Sequence, residues 1–145
     1  HAPFDFKKQK PMGKDDFTKI PNGIPSLEER INLLYTYGVK RGKIDLHTMV
    51  NAASTQVAKQ FDLFPRKGAI QPGADADLVV FDPNYRGKIS VKTQHMAVDY
   101  SAFEGWPIEG RASVVTVRGQ IAARDGKFTG TLGRGRFLQR TPSHF

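Results

Sequence analysis

The chain has 145 residues, of which 39% are hydrophobic and 25% are charged, and it contains no cysteine. This composition predicts one globular domain and excludes disulfide cross-links, thiolate catalysis and cysteine-ligated zinc. The net charge is +8, but the basic residues are scattered and accompany no nucleic-acid-binding motif, so we expect solvated surface charge and no nucleic-acid partner. No apolar run approaches about 18 residues and no signal-peptide pattern is present, so we expect a cytoplasmic protein with no membrane partner.

Residues 1–25 are predicted to form a long irregular loop, because they contain four prolines and two glycines and show no sustained periodicity. Loops of this length in a compact domain usually have a function. Asn22-Gly23 is a turn dipeptide whose backbone groups can point at a ligand, although a plain turn before the next helix explains it equally well. His1 opens the same loop. Because the first residue is His rather than Met, we expect the chain to be part of a longer polypeptide.

Three short helices are predicted between residues 26 and 62. The motif "SLEER" is a capping box in which Ser26 bonds the first-turn amides and Glu29 reaches back, and this helix should end near residues 38–42. Asp45 is expected to cap a second helix and Ser54 a third. The residues expected to face inward are, in chain order, Leu27, Ile31, Leu34, Leu46, Met49, Val50, Val57, Ala58 and Phe61.

The pattern changes to strands after residue 65. Strands are predicted at residues 78–81, at "KISVK" (88–92) and along residues 112–128, with turn chemistry at 82–84 ending the first one. Arg118-Gly119 and Asp125-Gly126 are predicted hairpin turns. Helices followed by strands indicate an α+β fold.

Asp75 and Asp77 in "QPGADADLVVFD" have a spacing that can hold a divalent metal. Calcium and magnesium need six or more oxygen ligands, and the surrounding sequence supplies no such cluster, so we favour the polar start of a strand. We expect Leu78 and Val80 to lie on one buried face of that strand. The remaining histidines, which lack metal-ligand spacing and are interpreted as surface or core residues, are His47, His95 and His144.

Several motifs occur together in an order that resembles one enzyme family. They are "HAPF", "GKDDFTKIPNG", "EER", "STQVAK", "FPRKGAIQPGADADLVVFDP", "ISVKTQH" and "FEG". In this order and spacing they resemble the C-terminal third of the dihydropyrimidinases and hydantoinases, which are cyclic amidohydrolases. The resemblance covers nearly the whole chain.

This resemblance implies the end of a metal-dependent TIM-type (β/α)8 barrel with short helices, followed by strands of a small β-sandwich. The implied division is residues 1–64 in the barrel, with an active-site loop at 1–25 and helices at 26–62, residues 65–130 in the sandwich, and residues 131–145 as a tail. It also implies two zinc ions bridged by a carboxylated lysine, and a homo-oligomer, either a dimer or a tetramer. The family's catalytic Asp would immediately precede His1, so we expect no catalytic residue or metal ligand here and no activity from the chain alone.

The implied activity is hydrolysis of the cyclic amide C–N bond of dihydropyrimidines or 5-substituted hydantoins. Asn22 matches a position whose backbone hydrogen-bonds the substrate, and His1 matches a position that lines the site. One alternative is a non-enzymatic scaffold of the collapsin-response-mediator type, and another is a relative of allantoinase or dihydroorotase. "IPNG" favours the enzyme, since those scaffolds typically depart from the motif at the Asn.

Overall fold

A computed structural model describes residues 1–140, in which a helical part precedes a four-stranded antiparallel sheet. The α+β order expected from the sequence is therefore confirmed. His144 and the end of the predicted tail lie outside the described residues. No helix within residues 1–140 combines the length and apolarity needed to cross a bilayer.

The helical part starts with the loop of residues 1–25, which is irregular as predicted except for two short 3-10 turns. The helical segments are, in chain order, the 3-10 turns Lys10–Gly13 and Phe17–Lys19, α1 (Arg30–Leu33), π-helical turns at Leu34–Val39, α2 (Leu46–Val50), π-helical turns at Asn51–Thr55, and α3 (Gln56–Gln60). The first helix thus ends close to the predicted glycines. The π-helical turns join α2 to α3 without a break.

One of the three predicted helix caps is present. Asp45 caps α2, because its Oδ1 accepts a hydrogen bond from the Thr48 amide at 2.6 Å. The capping box is wrong: the Glu29 side chain is buried against other partners, and α1 has no side-chain cap. The cap at Ser54 is also wrong, since this residue lies inside the continuous helix, where no free helix end needs an acceptor.

The helices bury fewer apolar residues than the periodicity predicted. Met49 and Ala58 are buried, while Ile31 and Leu34 are half-buried. Five residues expected to face inward are exposed, which corrects the prediction for Leu27, Leu46, Val50, Val57 and Phe61. Apolar side chains favour burial, so these exposed positions mark surfaces that the described residues leave uncovered.

The sheet has the strand order β1-β2-β3-β4. Its strands are β1 (Val79–Lys88), β2 (Pro107–Val117), β3 (Gln120–Arg124) and β4 (Lys127–Phe128). Both predicted hairpin turns are confirmed. Arg118-Gly119 has φ values of 48° and 74°, and Asp125-Gly126 has φ values of 49° and 76°. Positive φ at both central residues is the geometry that tight antiparallel hairpins require.

The first strand differs from the prediction in three ways. It continues through the predicted turn at 82–84 by a register shift, so that Asp82 pairs with Arg111 while Arg86 pairs with Glu109. "KISVK" is not a strand, because β1 ends at Lys88 and a turn follows. Val80 is 56% exposed, so the predicted buried face is wrong for the described residues. Nothing within residues 1–140 covers that side of the strand.

Helix and sheet are joined by polar and aromatic contacts. The Thr36 hydroxyl oxygen lies 2.7 Å from the Asn32 carbonyl oxygen and accepts a hydrogen bond from the Glu109 amide at 2.9 Å. The ring of Tyr35 packs edge-on against Phe81, with centroids 4.7 Å apart. These contacts place the helical part against β1 and β2, and the loop of residues 1–25 is attached to that unit.

Candidate functional site

The loop of residues 1–25 folds back on the residues that follow it. The Ala2 amide donates a hydrogen bond to the Ile24 carbonyl at 3.1 Å. Nδ1 of His1 lies 3.1 Å from the Ser26 amide and 3.4 Å from the Leu27 amide. The two candidate residues predicted from the sequence, His1 and Asn22, therefore belong to segments that the structure brings together.

The His1 ring is exposed and has a defined arrangement of its two nitrogens. Because Nδ1 accepts hydrogen bonds from backbone amides, the neutral ring carries its proton on Nε2. His1 can thus present one N–H donor without losing its attachment to the chain. The Nε2–H group could donate to a carbonyl oxygen of a ligand. Within residues 1–140 no side chain or backbone group is hydrogen-bonded to Nε2.

Asn22 is exposed, and neither its amide nor its carbonyl is hydrogen-bonded within residues 1–140. The next residue, Gly23, has φ +83°, and a Cβ built there would approach the Cβ of Ala2 to 3.0 Å. Any L-residue at position 23 would therefore be strained and crowded. The loop thus holds a free donor and a free acceptor at its surface, next to a glycine that sets their direction.

Lys10 fixes the carbonyl just before Asn22. Its Nζ donates a hydrogen bond to the Pro21 oxygen at 3.0 Å, and the same ammonium lies 4.8 Å from the centroid of the Phe4 ring. Phe4 is only 6% exposed, so the lysine is supported by a buried residue. A cation–π contact with a buried ring and a charge-assisted hydrogen bond together restrict this side of the loop.

Two acidic residues at the end of the loop are held from far along the chain. The Glu28 carboxylate accepts the His95 amide at 2.7 Å, and it lies 2.9 Å from Nδ1 of the same residue. The Glu29 carboxylate, in a residue 1% exposed, accepts the Gln94 amide group at 2.6 Å and also the Ser101 hydroxyl. The sequence analysis missed all these pairings because the partners lie at least 65 positions apart.

The Asp75 and Asp77 pair is part of an ion-pair cluster. Lys67 contacts both carboxylates, and the Arg118 amide donates to Asp77 at 2.7 Å. The hydrogen bond from Lys67 lowers the pKa of Asp75 below its ordinary value. Burial works in the opposite direction at Asp77, but the hydrogen bonds from Lys67 and Arg118 outweigh it and lower the pKa of Asp77 as well. Both carboxylates thus have partners within the chain, in the segment that leads into β1.

The described residues do not fit a metal centre. Across residues 1–140 no group of three or more His, Asp or Glu side chains is arranged to hold a metal ion. The carboxylates of Asp75 and Asp77 are already paired with the side chains of Lys67 and Arg66. The site that the geometry offers is therefore a loop with free backbone groups, supported by residues from a distant part of the chain.

The model of the amidohydrolase family matches residues 13–122. The chain belongs to the amidohydrolase family. The match includes Asn22, strands β1 and β2, and the segment that holds Glu28 and Glu29.

Individual amidohydrolases resemble the chain along most of its length. It is 51% identical to D-hydantoinase of Geobacillus stearothermophilus over 94% of the chain and 29% of the relative, and 45% identical to dihydropyrimidinase of Rattus norvegicus over 92% and 26%. The solved structure of a D-hydantoinase (dihydropyrimidinase) from Thermus sp. superimposes with a TM-score of 0.96 at 63% identity, covering 100% of the chain and 31% of that structure.

The chain therefore spans less than a third of the relatives it matches. Hydantoinases are TIM-barrel amidohydrolases, and the fold class expected from the resemblance is confirmed: short helices from a barrel precede an antiparallel sheet. In the relatives, more than two thirds of the polypeptide lies outside the matched part.

Proposed function

We propose that the chain is part of a cyclic amidohydrolase that opens the ring of dihydropyrimidines or 5-substituted hydantoins. The similarity to proteins named D-hydantoinase and dihydropyrimidinase supports this reaction class. The observation that carries the proposal within this chain is the pair of free backbone groups at Asn22. A cyclic amide or imide offers an N–H and a C=O, which are the complements of those groups.

In this proposal Asn22 binds the substrate through its main chain, and His1 lines the same site. The Asn22 amide would donate to a ring carbonyl, and the Asn22 carbonyl would accept from a ring N–H. Lys10 and Gly23 set the backbone on either side of Asn22. Orienting the ring in this way contributes to rate because a positioned substrate loses less freedom on reaching the transition state.

The metal ions of the proposed enzyme would be held outside this chain. We propose two zinc ions bridged by a carboxylated lysine, as the resemblance implies, and residues 1–140 offer no ligand set for them. Such ions would supply Lewis-acid chemistry to the site. The part played by this chain is then to bind and orient the substrate.

We further propose that the rest of the polypeptide covers the exposed apolar surface of the chain. Six exposed apolar residues lie on or next to the helices and β1, namely Leu46, Val50, Val57, Phe61, Val79 and Val80. Surfaces of this kind are usually buried in the complete protein. The division into a barrel part (1–64), a sandwich part (65–130) and a tail (131–145), a dimeric or tetrameric assembly and a cytoplasmic location remain predictions.

The test is turnover of dihydrouracil and of hydantoin by the complete polypeptide that contains this chain, with zinc quantified in the same sample. We expect metal-dependent ring opening of at least one substrate, and neither turnover nor a bound zinc pair for residues 1–145 alone. A metal-loaded complete protein without activity on either ring would contradict the proposal and favour the scaffold alternative. Metal-dependent turnover by residues 1–145 alone would contradict the assignment of His1 and of the missing ligands.

A further inference from the structure

One short segment, residues 94–101, holds both ends of the loop that carries Asn22. At the far end it holds Glu28 through His95, and Glu29 through Gln94 and Ser101. At the near end it holds the backbone of Phe6 and Lys7 through Asp99. We call residues 94–101 the anchor segment. It is more than 60 positions away from everything it holds.

Asp99 makes the most direct of these contacts. Its Oδ1 accepts the Phe6 amide at 2.6 Å, and its Oδ2 accepts the Lys7 amide at 3.2 Å. One carboxylate therefore fixes two consecutive peptide groups. The Phe6 amide, and to a lesser degree the Lys7 amide, stabilise the ionised form and lower the pKa of Asp99. The side chain is thus an anion at neutral pH, and a charge-assisted hydrogen bond is stronger than a neutral one.

Tyr100 adds an apolar contact beside this carboxylate. Its ring lies 5.7 Å from that of Phe4 and 5.4 Å from that of Phe6, measured between centroids. Burial, with a smaller contribution from the charge of Asp99, raises the pKa of Tyr100. Aromatic pairs in tilted arrangements are stabilising. The anchor segment therefore grips residues 4–7 both by their backbone and by their side chains.

The gripped residues lead directly to Asn22. Lys10, which lies one turn beyond them, holds the Pro21 carbonyl, and Ala2 holds the Ile24 carbonyl. The backbone on both sides of Asn22 is thus hydrogen-bonded to the first ten residues of the loop, in which Asp99 holds residues 6 and 7. On the other side, the backbone that follows Asn22 runs into Glu28 and Glu29, which the same anchor segment binds.

We propose that Asp99 is a positioning residue that sets the substrate-facing backbone of Asn22 by holding residues 6 and 7. This inference rests on the proposed function for the identity of the substrate. Asp99 touches no reacting group, so its removal should disturb orientation and leave the metal ions in place. The loss of ring-opening activity should therefore exceed the loss seen in a control variant of similar stability.

The test compares Asp99→Ala and Asp99→Asn with Asp45→Ala in the complete metal-loaded protein. Asp45 is the matched control, because it also accepts a backbone amide at 2.6 Å but caps α2, outside the loop. Three quantities are measured for each variant: kcat and KM for dihydrouracil and hydantoin, Tm with zinc content, and hydrogen exchange in peptides covering residues 1–25.

We expect Asp99→Ala to lower kcat/KM by about 10-fold to 100-fold, since a displacement near 1 Å costs about that much. Exchange in residues 1–25 should accelerate and zinc should stay unchanged. Asp99→Asn keeps one acceptor and should lie between parent and Ala. Asp45→Ala should lower Tm about as much as Asp99→Ala does, but it should change neither kcat/KM nor the exchange in residues 1–25. If Asp99→Ala does not fold, Asp99→Asn decides by the same measurements.

Unchanged exchange in residues 1–25 together with unchanged kcat/KM in the Asp99 variants would overturn the inference. So would an equal loss of kcat/KM in Asp45→Ala, which would reduce Asp99 to a general stability effect. An inactive parent protein overturns the proposed function and the link to substrate. In that case exchange still decides whether Asp99 anchors the loop.

Discussion

Nζ of Lys67 lies 2.9 Å from Oδ2 of Asp75, and the same ammonium contacts the carboxylate of Asp77. The two carboxylates whose Asp-x-Asp spacing suggests a metal site are thus paired with a lysine. The cluster ties the turn before β1 to residues 66 and 67, and Asp77 extends it to the amide of Arg118. Each carboxylate has two partners, but only Asp77 accepts a backbone amide, so we expect the two residues to contribute differently to stability.

Asp77→Ala should destabilise the protein more than Asp75→Ala. The first change leaves the Arg118 amide without its acceptor and should cost about 1 kcal/mol. The second removes ion pairs with Lys67 and Arg66, which are partly exposed to solvent, while the backbone bond from the Asp75 amide to the Arg66 carbonyl survives. Urea denaturation of the two variants measures the difference. Equal losses, or release of a bound metal by Asp75→Ala, would contradict this account of the stretch.

The contribution of Lys67 to stability should depend on pH at both extremes. The pKa values of Asp75 and Asp77 are lowered on folding, so their contribution is present above their unfolded value of about 3.9 and is lost as pH falls through the folded value. Burial opposes the shift at Lys67, but hydrogen bonds to Asp77 and Asp75 raise its pKa. Its contribution is present below about 10.4 and is lost as pH rises through the folded value.

The measurement is the difference in Tm between the parent and Lys67→Met from pH 3 to pH 11, a range chosen to pass both of those limits (about 3.9 and about 10.4). We expect a constant difference across the middle of the range that shrinks at each end. A difference that does not vary with pH would show that packing of the lysine stem, rather than its charge, is responsible.

Thr36→Val should weaken the contact between the first helix and β2. Thr36 is 3% exposed, and its hydroxyl oxygen accepts the Glu109 amide at 2.9 Å. Valine has the same shape but leaves that amide unpaired, which costs about 1–3 kcal/mol. Thr36→Ser keeps the hydroxyl and is the control, with a smaller loss expected. If serine were as damaging as valine, the methyl group rather than the hydrogen bond would hold the two elements together.

The sequence predicted turns and one cap well because they depend on neighbouring residues. Asp125-Gly126, Arg118-Gly119 and the Asp45 cap each need only local geometry, and each was confirmed. Burial was predicted poorly, because it depends on what covers a surface. Val80 has the composition of a core strand residue and is 56% exposed within residues 1–140, where no second layer covers it.

The candidate site shows the same difference between features set by neighbouring residues and features set by distant ones. Residues 1–25 were recognisable as an irregular loop from prolines, glycines and the turn at Asn22, all of which are local signals. Glu29 was assigned to a local capping box, but it is buried against Gln94 and Ser101. Asp99 carries no local signal, since its partners are 92 and 93 positions away. One sequence does not reveal such pairings.

The main chain rather than the side chain of Asn22 should matter for activity in the complete protein. Asn22→Ala keeps the amide and the carbonyl, so most of the turnover of dihydrouracil or hydantoin should remain. Gly23→Pro should cost about 100-fold, because proline fixes φ near −65° while Gly23 has φ +83°, and the loop must move to accommodate it.

Zinc content distinguishes displacement of the Asn22 main chain from a general disruption of the active site. It should equal that of the parent in both variants, because the described residues supply no metal ligands. Asp99→Ala should resemble Gly23→Pro in this respect, losing kcat/KM with zinc retained, since both displace the same backbone from opposite ends of the loop. Equal activity of Asn22→Ala and Gly23→Pro would remove the loop from the substrate site, and loss of zinc in Gly23→Pro would point instead to a general disruption of the active site.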